Sequence, residues 1–431
     1  MPKAVISSRI FMDDPGIEHT KKIIKSLTYK ITKDTGSKKF AAVETIKNFK
    51  VLTKGIISIP QGRIDLIPEG YEIVDKRILN PVPFPTPKFA LREDQQEIYD
   101  QIDDTCFVNA LVGWGKTFTA LHLARKFGQK TIVITHTAAL RDQWIEEVES
   151  LFGMRPGIIG GGVYDIEDHA IVVGNIQSIV KYLPELSKEF GFVILDEAHH
   201  CPASTFATTI DSFHARYRLA LSGTMIRKDG KHIIFRDYFG DHVLKPAQAN
   251  TLAPVIHIVK SGLTLKPGVP WVDKITDLCN NESYQQFIAG ITSMEIDNGH
   301  SVLVVADRVE FLQKVKEYVG DDCLLVTGST EFEDRKRAKE QILSGEKWAI
   351  AGSRQIFAEG ISINRLSCLV LAVPMSNDSL LEQLIGRIQR LHAEKLNPLV
   401  IDINFAGYAD KKQNNDRLGL YMRKGWQVIT N

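Results

Sequence analysis

Cysteine is scarce in this chain and never clustered. The five cysteines, at 106, 201, 279, 323 and 368, form no C-x-x-C pair among 431 residues. That scatter argues against a zinc site and for a reducing compartment, where thiols stay free. Long apolar runs are missing too: none approaches the roughly 18 residues that a membrane-spanning helix requires. The N-terminus, Met1-Pro-Lys-Ala-Val-Ile-Ser-Ser-Arg9, has no apolar core of a secretory signal. A soluble, cytoplasmic protein is expected. Nor is there an overall charge bias, since 53 Lys+Arg stand against 52 Asp+Glu. A uniformly basic nucleic-acid coat is therefore excluded.

What is present is an ordinary globular composition, 44% hydrophobic and 24% charged, in a chain long enough for two or three cored domains. Charge is uneven along it. Residues 1–80 carry 15 Lys/Arg against 9 Asp/Glu. A basic N-terminal module on a near-neutral body fits a polyanionic partner, although a solvated surface has the same composition. In this module Ala4 to Ile6 and Arg9 to Met12 read as strands, and Ile17 to Tyr29 as a helix with Ile23, Ile24 and Leu27 on one face. From Phe40 to Ile78, short Val/Ile runs broken by Gly55, Gly62 and Gly70 read as small strands with tight turns. The stretch Asn80-Pro-Val-Pro-Phe-Pro-Thr-Pro87 reads as a stiff linker. The expected domains are residues 1–84, 85–250 and 251–431.

The organising stretch is Ala110-Leu-Val-Gly-Trp-Gly-Lys-Thr117, an A-x-x-G-x-G-K-T pattern. A short apolar strand, Cys106 to Val112, leads in. A helix from Phe118 to Phe127 leads out, with Phe118, Leu121, Leu123 and Ala124 on its apolar side. This is the layout of a phosphate-binding loop. Gly113 and Gly115 let backbone N–H groups converge on phosphate oxygens, aided by the positive end of the helix. Lys116 is expected to reach the β- and γ-phosphates of ATP, and Thr117 to hold Mg²⁺. The bland alternative is a Gly-Lys turn that binds nothing.

Further on, Phe192-Val-Ile-Leu-Asp-Glu-Ala-His199 delivers Asp196 and Glu197 to the carboxyl edge of a buried strand, where open α/β sheets bind ligands. Asp196 suits the Mg²⁺ shell. Glu197 suits orientation and deprotonation of the attacking water. Runs at Thr131–Thr135, Ala170–Val173, Phe192–Leu195 and Tyr217–Leu221 predict a doubly wound parallel sheet. A second set predicts another α/β domain lacking a Lys-Thr loop: Ser301–Val305, Cys323–Val326, Trp348–Ala351, Cys368–Leu371 and Leu399–Asp402. In that second domain Gln383, Arg387 and Arg390 fall in one stretch. The two arginines, at i and i+3, are expected on one helix face, poised to stabilise transition-state charge at an interdomain cleft. Two surface arginines on a helix are the alternative.

Taken in order, these motifs resemble the superfamily 2 helicases and translocases over residues 89–430. The resemblance implies two RecA-like domains in tandem behind a small α+β N-terminal domain. Leu91 to Gln95 resembles the element that reads adenine, with Gln95 on the base edge and Arg92 beside it. Trp114, bulky for its place, and Gly360 complete the implied nucleotide set. Thr135 to Trp144 resembles motif Ia, with Thr137 on a DNA phosphate. Gly161 and Gly162, Asn175 and Gln177, Thr327 and Gly328, and Ser353 are the other implied DNA contacts, gripping phosphates without reading bases. Ser222 and Thr224 resemble motif III and, with His199, are implied to couple ATP to movement; for His199 a local hydrogen bond is the alternative. Arg227-Lys-Asp-Gly230 resembles the tail of the XPB-like branch. Motif V, Glu359-Gly-Ile-Ser-Ile363, departs from the usual G-x-D by having Ser362 in place of Asp, a form similar to bacteriophage branch-migration helicases of the UvsW type. For a viral protein the compartment becomes the host cytoplasm.

The resemblance implies an ATP- and Mg²⁺-dependent DNA helicase acting on forks, D-loops or four-way junctions in replication, recombination or repair. The rival readings are an RNA helicase, a duplex translocase that separates no strands, a non-catalytic ATP-gated DNA clamp, and a restriction-type translocase subunit.

Overall fold

The computed structural model describes residues 2–33, 42–52, 55–110, 113–197, 203–223, 231–246, 252–359, 361–390, 392 and 394–430. The chain divides into two compact units, residues 1–111 with 115–247, and residues 112–114 with 248–431.

In the first unit, the strand Lys3–Ile6 pairs antiparallel with Arg9–Met12 and parallel with Glu72–Asp75 inside a five-stranded sheet. Ile23 and Leu27 join Ile6, Ile10, Ile57 and Ile59 in its apolar cluster. The expected helix to Tyr29 stops at Ser26, and Tyr29 belongs to a hairpin of Thr28–Lys33 with Ala42–Lys47. β-branched Thr28, Ile31 and Thr32 favour extended backbone there. Ile24 faces solvent, not the core. Lys21, Lys22 and Lys25 are exposed on the helix, while Lys38 and Lys39 lie outside the described residues.

Buried polar bonds fasten this segment to the larger sheet of the same unit. Asp237, fully buried, accepts hydrogen bonds from Tyr29 Oη (2.8 Å), Asn48 Nδ2 (2.7 Å) and Arg63 Nη1 (3.1 Å). Arg9 pairs with Asp211, and Arg218 Nη2 donates to Ser8 O at 3.0 Å. The proline stretch is not a free spacer. Val82 N donates to Gly128 O (3.0 Å) and Asn80 Nδ2 to Glu189 O (2.7 Å). Proline has no N–H, so the anchors fall on the non-proline residues Asn80 and Val82, and the stretch lies as a strap.

The larger sheet has the order Val163–Asp165, Gly157–Gly160, Ile171–Asn175, Thr131–Thr135, Phe192–Leu195, Tyr217–Ser222, Cys106–Asn109, Val243–Leu244. Every pairing is parallel except that of the first two strands. All residues of Thr131–Thr135 and Phe192–Leu195 are buried. Cover on both faces is why these strands read as unbroken apolar runs.

The second unit holds seven parallel strands in the order Cys323–Val326, Ala349–Ser353, Val302–Ala306, Cys368–Leu371, Leu399–Ala406, Val255–Thr264, Gln427–Thr430. The tandem RecA-like α/β class is as expected. Cys106, Cys279, Cys323 and Cys368 are buried free thiols. Among the described residues, no helix is long and apolar enough to cross a membrane.

Candidate active site and nucleic-acid interface

The phosphate loop joins Cys106–Asn109 to the helix Lys116–Phe127. Gly113 and Gly115 have φ of +88° and +97°, in the left-handed region that side chains disfavour. A Cβ on Gly115 would stand 2.3 Å from Gln95 Nε2, so glycine here is also a matter of space. The helix begins with no side-chain cap at Gly115. Its first N–H groups therefore have no capping side chain, as an anion-binding N-terminus requires. Lys116 is buried; its Nζ donates to Ala110 O at 3.0 Å and lies 3.8 Å from Glu197 Oε1. Thr117 stands half-buried in the first turn, and Trp114 is buried. Gln95 lies against the loop at Gly115 and accepts from Arg92 N at 3.1 Å, while Arg92 itself reaches Asp94.

Asp196 and Glu197 leave the carboxyl end of Phe192–Leu195. Both are buried, and Glu197 has φ +47°. That left-handed conformation is uncommon for a residue other than glycine. Asp196 Oδ1 accepts from Glu197 N (2.9 Å), and Asp196 Oδ2 from Trp144 Nε1 (2.7 Å). Burial, then the adjacent Glu197 charge, pushes the Asp196 carboxyl up to about 6, against the pull of Trp144 and Lys116. The neighbouring strand ends at buried Ser222, whose carbonyl accepts Ala110 N at 3.0 Å. His199, Thr224, Gly360 and the Arg227–Gly230 tail lie outside the described residues.

The implied DNA contacts of this unit gather on the other half of the same sheet edge. Thr137 follows Thr131–Thr135 and caps the helix Ala138–Phe152, its Oγ1 accepting from Leu140 N. Gly161 and Gly162, exposed and at φ +64° and +83°, form the turn after Gly157–Gly160. Asn175 ends Ile171–Asn175, and Gln177 Nε2 donates to His136 O at 3.2 Å. Three adjacent strands thus present all five residues. Beside these residues stands Arg141, one turn past Thr137, which the sequence did not single out; it pairs with Asp142 at 2.7 Å. Its Nη1 approaches within 3.0 Å of where a Gly160 Cβ would stand and 3.3 Å of a Gly161 Cβ. The i+4 spacing from Thr137 was the available signal.

In the second unit, Thr327 and Gly328 follow Cys323–Val326, and Ser353 ends the neighbouring Ala349–Ser353. Thr327 Oγ1 bonds Ser329 Oγ at 3.0 Å, and Gly328 O accepts from Arg335 Nη2 at 3.1 Å. Gln383 and Arg387 are buried on the helix Asp378–Ile388, with Arg387 Nη2 donating to Ala358 O at 2.6 Å. The shared helix face for Arg387 and Arg390 does not hold. The helix ends at Ile388, and Arg390 lies beyond it. Past the helix end, Gln389 O accepts from Leu252 N (3.2 Å) and Arg390 O from Lys395 Nζ (2.8 Å). Burial and the nearby Arg390 charge push Lys395 down to about 7.

Two mostly parallel sheets with a phosphate loop and a strand-end Asp-Glu define a nucleoside-triphosphate motor. Residues 88–227 match the family "Type III restriction enzyme, res subunit", and residues 282–392 match "Helicase conserved C-terminal domain". The chain is 42% identical over 437 residues to the "Probable helicase D10" of Escherichia phage T5, covering 99% of this chain and 96% of that protein. It is 26% identical over 337 residues to the "ATP-dependent DNA helicase uvsW" of Enterobacteria phage T4, covering 70% of this chain and 66% of that one. Among solved structures, S. cerevisiae Dbp5 bound to RNA and ADP BeF3 shares the fold at a TM-score of 0.56 with 12% identity, covering 78% of this chain and 89% of that one. The chain belongs to the superfamily 2 helicases, and phage helicases are among its relatives.

Proposed function

We propose that this helicase is an ATP- and Mg²⁺-dependent DNA motor that remodels forks, D-loops or four-way junctions. The observation that carries the reading is the divided carboxyl edge of the first sheet. Nucleotide groups follow the strands Cys106–Asn109, Phe192–Leu195 and Tyr217–Ser222, and phosphate-gripping groups follow the three strands on the other side. The relative named a DNA helicase supports DNA over RNA, and the basic surplus of residues 1–80 supports a duplex arm as a second contact.

The residues fit a magnesium nucleotide. The uncapped helix start at Gly115 and the buried Lys116 ammonium suit phosphate oxygens, and the Asp196 carboxylate with the Thr117 hydroxyl is a hard-oxygen donor set. Bound Mg²⁺ would supply charge neutralisation on the β- and γ-phosphates. Lys116 leaves Ala110 O for phosphate. Glu197 orients the attacking water and takes its proton. Gln383, Arg387 and Arg390 answer charge developing on the transferred phosphoryl group. The grips at Thr137, Gly161, Gly162, Asn175, Gln177, Thr327, Gly328 and Ser353 hold the backbone of any sequence.

The test is ATP turnover with single-stranded, linear duplex, forked and four-way DNA and with RNA, for wild type and Glu197→Gln. Forked and four-way DNA are expected to stimulate most, and the variant to lose several hundred-fold, roughly the general-base range. Equal stimulation by RNA, or stimulation by linear duplex without strand separation, overturns the branched-DNA reading. Absence of turnover makes the chain an ATP-gated clamp.

A further inference from the structure

Trp144 has entered so far only through the stretch resembling motif Ia and its bond to Asp196, with no role of its own. It is fully buried, yet its single polar atom is not spent on a backbone carbonyl. Nε1 donates at 2.7 Å to Oδ2 of Asp196, fifty-two residues away in sequence. An indole has one donor and no acceptor, so it can hold a carboxylate oxygen only from one direction. A bond to an ionised acceptor is stronger than a neutral one. The other oxygen, Oδ1, is fixed by Glu197 N at 2.9 Å. With one donor on each oxygen, the carboxylate plane is set before any cation arrives.

The route by which Trp144 arrives there matters as much as the bond. Its helix, Ala138–Phe152, starts at Thr137 beside the implied phosphate grips and carries Arg141 one turn later. Trp144 lies seven residues past Thr137, about 10 Å along the axis and on nearly the same face. The strands that end at Thr135 and Leu195 are neighbours in parallel register. One helix therefore touches both halves of the sheet edge.

We infer that Trp144 is a positioning residue for Asp196, and that through it the helix Ala138–Phe152 relays nucleic-acid binding at its start to the metal carboxylate. The inference rests on the proposed reading of Asp196 as the Mg²⁺ carboxylate. A tryptophan filling core volume explains the burial equally well but not the bond, so the test separates ring from N–H.

The experiment places benzothienylalanine at position 144 by site-specific incorporation, replacing N–H with sulfur and keeping the bicyclic shape; Trp144→Phe and Asp196→Asn accompany it in the full chain. Two readouts are taken: the dissociation constant of Mn²⁺ from the ADP complex by electron paramagnetic resonance, and the ratio of DNA-stimulated to DNA-free turnover. Loss of the N–H is expected to weaken Mn²⁺ about tenfold, the lower end for removal of an outer partner of a metal ligand. The stimulation ratio is expected to fall with it. Unchanged Mn²⁺ affinity and an unchanged ratio in the benzothienyl protein, while Asp196→Asn weakens Mn²⁺, overturn the role of Trp144 and leave the site reading intact. If Asp196→Asn leaves Mn²⁺ affinity unchanged, the reading of Asp196 itself fails and the inference with it.

Discussion

The two parallel sheets share a strand plan and differ in what stands on their carboxyl edges. In the first, phosphate-gripping candidates follow Gly157–Gly160, Ile171–Asn175 and Thr131–Thr135, while Lys116, Asp196 and Glu197 stand on the other half. In the second, Thr327, Gly328 and Ser353 follow the two neighbouring strands Cys323–Val326 and Ala349–Ser353, and the helix after Cys368–Leu371 carries arginine with no lysine loop and no Asp-Glu. The same architecture thus supports two chemistries. A loop with glycines, lysine and carboxylates can hold a metal nucleotide. A guanidinium, always charged, can only answer charge made elsewhere.

That contrast is broken most severely at Lys116. Lys116→Ala is expected to abolish ATP turnover and unwinding in a steady-state assay while weak DNA binding persists; wild-type turnover would remove the first sheet from the chemistry. Arg390→Ala is expected to lower turnover about a thousandfold, the low end for arginine fingers, with little change in ATP affinity by equilibrium titration. A loss of affinity instead of rate would make the second sheet a nucleotide-binding surface like the first.

The third test concerns the N-terminal segment, which only the first unit carries. Asp237 is 0% exposed and has three side-chain donors from that segment. Arg63→Ala is expected to cost roughly 3–5 kcal/mol in urea unfolding of the first unit, the penalty for orphaning a buried charge. A chain starting at Pro85 loses all three donors and is expected to be unstable, so junction preference is better probed by point variants of the exposed Lys21, Lys22 and Lys25. An unchanged urea midpoint for Arg63→Ala would show that the segment merely rests on the motor. The smallest effect belongs to Arg141→Ala. It should reduce the slope of log DNA affinity against log salt by about 0.9, one phosphate contact. An unchanged slope would leave Arg141 outside the interface.

Legibility in the sequence followed locality. Thr131–Thr135, Phe192–Leu195 and Cys368–Leu371 coincide with their apolar runs because both faces of a central parallel strand are covered. Val255–Thr264 was missed because its burial alternates and its end, Lys-Ser-Gly-Leu-Thr, reads as loop. Arg390 lies beyond its helix, in a segment bonded to Leu252 and Lys395, and no helical spacing encodes those bonds. The proline strap depends on Gly128 and Glu189. At the candidate site, residue types were readable from motif order. The hydrogen bond from Trp144 was not, because a tryptophan in an apolar helix face reads as core.

The division of the first sheet edge into a nucleotide half and a nucleic-acid half is tested most directly by hydrogen–deuterium exchange on the intact chain. The chain is compared alone, with a slowly hydrolysed ATP analogue and Mg²⁺, and with forked DNA. The account predicts that nucleotide protects peptides within 110–120 and 192–198, and that DNA protects peptides within 135–142 and 158–178. Protection of the 135–142 and 158–178 peptides by nucleotide alone, with no response to DNA, would contradict it.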